Sequence, residues 1–162
     1  MANTINKLFP FSTIDPKKAQ IYPCFVDFAA PIVGGKYVFS KTTTPPQNFG
    51  ELPQGQTGII AGVQISANCI EDDFAAGVEK PLMLQVLHGG NGTPINFKPF
   101  PFSQFSHGDN FQLQWQITAA RPNQNDGYEL AVEGEVNQIG NMTSNELILR
   151  VTFNFIRVAG SV

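Results

Sequence analysis

Strict alternation of apolar and polar side chains constrains this chain more than any other feature, because only an extended strand with one face buried needs a period of two. Residues 111–119 set Phe111, Leu113, Trp115, Ile117 and Ala119 against Gln112, Gln114, Gln116 and Thr118. The pattern returns over 147–159, where Leu147, Leu149, Val151, Phe153 and Phe155 face inward and Arg150, Thr152 and Asn154 face out. Over 128–139, Leu130, Val132 and Val136 oppose Glu129, Glu133 and Glu135, which are expected to face solvent. The Asp126-Gly127 pair before them suits a tight hairpin turn. Ile59, Ala61, Val63, Ile65, Ala67 and Cys69 fall in phase over 58–70, and residues 82–88 form a shorter, more apolar run. Both read as core strands.

Weaker strand candidates at 21–28, 36–42 and 94–100 contain or adjoin Pro or Gly. Proline lacks a ladder donor, so it confines the first and last of these to sheet edges or strand ends. Turn clusters such as Val33-Gly34-Gly35 and Thr44-Pro45-Pro46 separate the strands, and one short helical turn is expected over 71–80. The sum is an all-β, eight-stranded antiparallel β-sandwich in one domain spanning residues 20–162. Uneven loops disfavour an up-and-down barrel, leaving a jelly roll as the expectation and an immunoglobulin-like sandwich as the alternative. Residues 1–19, punctuated by Pro10 and Pro16, read as an extended N-terminal arm.

Charge is sparse. Only 14% of the 162 residues are charged, against about a quarter in average soluble proteins, while Asn and Gln number 25. A net charge of -3 gives little repulsion between copies and so permits close self-association. Lys7, Lys17, Lys18, Lys36 and Lys41 leave the first 41 residues net positive and the remainder acidic. Three lysines in the first twenty residues fall short of a polybasic arm, so contact with genome or membrane is at most weak. The run after Lys7 is interrupted by Pro10 and reaches Asp15, which does not suit a secretory leader.

The residues suited to chemistry do not assemble into a catalytic pattern. Cys24 and Cys69 lack C-x-x-C spacing and are expected to act as small buried apolar side chains rather than as a zinc or redox pair. His88 and His107 are expected to be exposed or hydrogen-bonded loop histidines, and no G-x-S-x-G elbow accompanies them. Glu71, Asp72 and Asp73 have the oxygens for calcium, but no second acidic cluster with ligand spacing, so a solvated turn is expected. Glu129, Glu133 and Glu135 form a stripe on one strand face, which is the ordinary solvent side of a sheet rather than the paired carboxylates of a glycosidase. Trp115 sits in the buried phase of its strand, which counts against an exposed aromatic sugar platform. No cofactor, metal or small-molecule substrate is expected, and no enzymatic activity.

Phenylalanine is the distinctive residue, with 14 copies. Phe9 and Phe11 lie in the arm, and Phe97, Phe100, Phe102 and Phe105 lie in a proline-broken run that cannot be a regular central strand. These rings either fold back as lids on the open ends of the sandwich or pack into neighbouring copies. With Lys17 and Lys18 they make up the candidate interface.

An arm before an eight-stranded sandwich, with sparse charge and many amides, resembles the single jelly-roll structural proteins of icosahedral bacteriophages, in particular vertex (penton) or minor capsid proteins. The likeness is one of architecture and covers roughly residues 20–162. It implies a homo-oligomer, specifically a pentameric ring at particle vertices, with other capsid proteins as further partners and the virion as location. It also implies an inward arm whose lysines sit near lipid or genome. Rival readings from other classes are a carbohydrate-binding or adhesin-like module and a small hydrolase using Glu133 or Glu135.

Overall fold

The computed structural model describes residues 17–51, 56–69, 71–88, 94, 100–101, 115–118 and 127–159. Among these the chain forms nine strands: β1 (Ala19–Val33), β2 (Lys36–Phe39), β3 (Gln47–Glu51), β4 (Gln56–Ala67), β5 (Val78–His88), β6 (Phe100–Pro101), β7 (Trp115–Thr118), β8 (Gly127–Asn137) and β9 (Glu146–Ala159). One helix, α1 (Glu71–Gly77), occupies the first part of the expected helical turn, and the chain re-enters a strand at Val78.

Every ladder between the strands is antiparallel. The first strand pairs with the last, β2 and β3 with β8, β4 with β7, and β5 with β6. That nesting is one long antiparallel ribbon. Its rolling adds the pairs β4·β9 and β5·β8, giving layers β1-β9-β4-β7 and β6-β5-β8-β2. A ribbon rolled in this way is a jelly roll, as expected, and the winding supplies the strand order that alternation alone leaves open.

Seven of the expected strands find a counterpart, that over 111–119 within 115–118; the expected strand over 94–100 lies almost wholly outside the described residues, and β3 is an addition. It follows β2 along the same edge of β8, so the two act as one strand interrupted by the turn at residues 40–46. Thr44 closes that turn, its N–H and hydroxyl both donating to Ser40 O, at 2.8 and 2.9 Å. The expected strand over 36–42 therefore stops at Phe39. Gly34 and Gly35 both take positive φ, as the two-residue hairpin between β1 and β2 requires. Among the described residues β1 is the edge strand of its layer from Ala19 to Pro31, pairing there with β9 alone, which accommodates Pro23 and Pro31.

The core lies between the layers. Leu130, Val132 and Val136 of β8 and Leu147 through Phe155 of β9 in alternate positions fill it as their phase predicts, together with Val26, Phe28 and Ala30 of β1. Phe49 of β3 closes one side, edge-on to Phe153 and Phe155 with ring centroids 5.2 and 5.4 Å away.

One expected phase is corrected. A bulge in β4 between Ala61 and Gln64 adds a residue against β9, and an extra residue moves every earlier side chain to the other face. Ile60, Val63 and Ile65 therefore belong to the core cluster, and Ile59 does not. Ile59 instead sits opposite Ile156, and both are buried outside that cluster.

Candidate subunit interface

The alternation of β1 that buries Val26 and Phe28 necessarily turns Ile21, Pro23, Phe25, Asp27 and Ala29 outward. Phe25 is 63% exposed and Ile21 44%. On the adjoining β9, Ile148 is 37% exposed, and it lies opposite Ala29 in the register. The remaining exposed large apolar residues among those described are Val33, at the end of β1, and Tyr22. All five therefore sit on the first strand or its immediate neighbour. The segment 21–28 carried a sequence signal for this: its run Phe25-Val26 places two large apolar residues in opposite phases.

Asp27 and Arg150 face each other across the same two strands. The guanidinium donates to both carboxylate oxygens at 2.8 Å and lies over the Phe25 ring, 4.5 Å from its centroid. Hydrogen bonding from Arg150 holds the Asp27 carboxyl below the usual carboxylate range. The face thus sets apolar side chains beside Thr152, Asn154 and one internally neutralised pair of charges.

At the end of the sandwich where β1 and β4 begin, polar side chains gather. Arg157 donates to Gln20 Oε1 at 3.0 Å and to the Tyr22 hydroxyl, and lies over the Tyr22 ring. His88 corrects an expectation: it is 8% exposed, stacks on buried Tyr128 at 5.9 Å, and neither ring nitrogen has a hydrogen-bond partner among the described residues. It is the last residue of a strand whose inward positions are even-numbered, so the ladder carries it inside with Leu84 and Val86. His107 lies outside the described residues.

The glutamate stripe is only partly a solvent face. Glu133 is exposed, but Glu135 is mostly covered, pairing with Lys80 at 2.6 Å and Lys36 at 3.7 Å, while Lys36 also meets Glu79. Hydrogen bonding from Lys80 keeps the Glu135 carboxyl ionised below its usual range. Asp73 accepts the Asn141 N–H at 3.3 Å, and Gly140 packs against the same carboxylate. No group of three His, Cys, Asp or Glu side chains placed to hold a metal occurs among the described residues.

Cys24 and Cys69 are free thiols at intermediate burial, and burial raises both pKa values. A cleft beside Cys69, lined also by Tyr37, Asn68, Asn141 and Met142, measures about 80 Å³, small against the ~300–1,000 Å³ of ligand pockets. No described helix is long and apolar enough to cross a membrane.

Of the sequence-derived interface residues, Lys17 and Lys18 form an exposed turn leading into β1. Phe100 contributes backbone to the two-residue β6, opposite Leu84. Phe9, Phe11, Phe97, Phe102 and Phe105 lie outside the described residues, as do positions 1–16 of the expected arm. Trp115 opens β7, at the far edge of the β1-β9-β4-β7 layer.

This geometry defines an antiparallel jelly-roll β-sandwich with an apolar outer edge. No protein-family model and no curated protein matches the chain. Solved structures overlap it loosely. The capsid of Helicobacter pylori bacteriophage KHP30 has a TM-score of 0.38 and 11% identity, covering 88% of this chain and 94% of that one. The VP2 subviral particle of infectious bursal disease virus gives 0.42 and 11%, over 94% of this chain and 37% of that one. The Gt strain of that virus gives 0.36 and 10%, over 94% and 38%. Overlap this loose leaves function open.

Proposed function

We propose that this chain is a virion structural protein without enzymatic activity, acting as a vertex (penton) or minor capsid protein that assembles with its own copies and with other capsid proteins. The observation that carries this reading is that the exposed large apolar side chains among the described residues all lie on β1 and the adjoining strand, with Ile21, Phe25 and Ile148 on one outer face. Contiguous apolar surface on a folded protein marks a place where another molecule sits. Sparse charge keeps repulsion between copies low. In a ring, each subunit buries one flank against the next, and the rotation between copies sets closure.

Sedimentation of the purified chain over a wide concentration range tests the proposal. Assembly above the monomer is expected, and a multiple of five supports the vertex position. A monomer at every concentration overturns the assembly reading.

A further inference from the structure

We propose that two copies of this chain pair face to face through the outer side of the β1-β9-β4-β7 layer, about a two-fold axis running along the strands between β1 and β9. This rests on the reading above that the chain self-associates, and it adds an isologous two-fold contact separate from the heterologous flank contacts of a ring.

Strand addition at the free edge of β1 is disfavoured. Pro23 and Pro31 remove two backbone donors from the edge that an added strand would have to pair. The outer face remains. Along it, Pro23, Phe25 and Ala29 of β1 run beside Asn154, Thr152, Arg150 and Ile148 of β9, while Ile21 lies opposite Ile156, which is buried and outside the contact. The neighbouring outward positions of β4, Gln64 and Ser66, are exposed and uncharged.

The charges select the partner and the axis. Asp27 and Arg150 sit at the same height on adjacent strands. A half-turn about an axis between those strands lays each β1 over the β9 of the second copy at equal height. Asp27 then meets Arg150 of the second copy, and Arg150 meets its Asp27, so four charges alternate in sign. Phe25 comes to lie over Thr152, Ala29 over Ile148, and Glu146 at the lower end over Pro31. Moving the axis onto β9 would instead set Arg150 against Arg150, and like charges in contact across an interface are strongly unfavourable. A face whose one ion pair is its own complement fits a second copy of itself, as an isologous contact demands.

The overlap, from Pro23 to Pro31, is two strands wide and about 27 Å long at ~3.4 Å per residue. That is small beside the ~800 Å² per partner of a standard interface. Alone it is a weak contact, and many copies acting together strengthen it.

Charge exchange tests the pairing by sedimentation of the full-length chain, with circular dichroism to verify folding. Asp27→Arg alone, and Arg150→Asp alone, are each expected to halve the assembly mass, from dimer to monomer or from a ten-fold to a five-fold particle. Mixing the two variants in equal amounts should restore it, because one copy then offers two cations to the other's two anions. Phe25→Gln keeps the ion pair and is expected to weaken association at least tenfold, so the idea stays testable if an exchanged variant misfolds. Single exchanges that leave the mass unchanged, or a mixture that stays halved, overturn the face pair while the assembly reading survives. A wild-type chain that is monomeric throughout removes both.

Discussion

Gly134 shows how narrowly single residues are placed. Its φ of +154° lies outside the range ordinary side chains favour, and a Cβ there would meet Leu82, with its Cα at 2.9 Å, and Pro81 O at 3.0 Å. Gly134→Ala must therefore push β5 away from β8. The expected loss is about 1–3 kcal/mol, the usual cost of overpacking, read as a lowered denaturant midpoint. Tyr128 is equally constrained: burial pushes its hydroxyl up to about 12, against ~10 for a free tyrosine. The folded value is the raised one, so nothing is lost below pH 10. Between pH 10 and 12 the unfolded chain releases a proton that the folded chain keeps, and stability falls by roughly 2–3 kcal/mol. Tyr128→Phe should show a correspondingly smaller alkaline loss in chemical denaturation.

Among the elements, β2, β5 and β8 are joined by more than ladder bonds. Glu135 on β8 holds Lys80 of β5 and Lys36 of β2, and the second lysine reaches Glu79. All four side chains remain in contact with solvent, so screening limits what they contribute. Glu135→Gln is expected to lower the melting temperature slightly in dilute buffer, with the difference shrinking as salt is raised. The carboxyl's depressed pKa gives the sign: the stabilisation is present at neutral pH and fades as acid protonates Glu135. The bulge in β4 shows the opposite dependence on sequence. One extra residue moves Ile59 out of the core cluster while keeping Ile65 in it, and period-two reading cannot detect such an insertion inside an unbroken apolar run.

For the molecule as a whole, the ladder between the first and last strands closes the ribbon, beginning at Ala19 opposite Val158. A chain shortened by residues 1–16 keeps every one of these pairs. It is expected to fold with an unchanged circular dichroism spectrum and to lose incorporation into particles, as an arm that lies on neighbours requires. Unfolding of the shortened chain would place that segment in the core instead.

Alternation and proline by themselves determined the all-β class, the inward faces of β8 and β9, and the confinement of the first strand to a sheet edge or strand end, because the pleat allows one periodicity and proline cannot donate inside a ladder. The sequence also carried the misfit of Phe25 beside Val26. Only the tertiary structure decided the strand order, the unforeseen β3, the burial of His88, and the meeting of Asp27 with Arg150 beneath Phe25. Each of these depends on which distant strands become neighbours when the ribbon rolls. A local pattern says which face of a strand is buried, but not which strand lies against it.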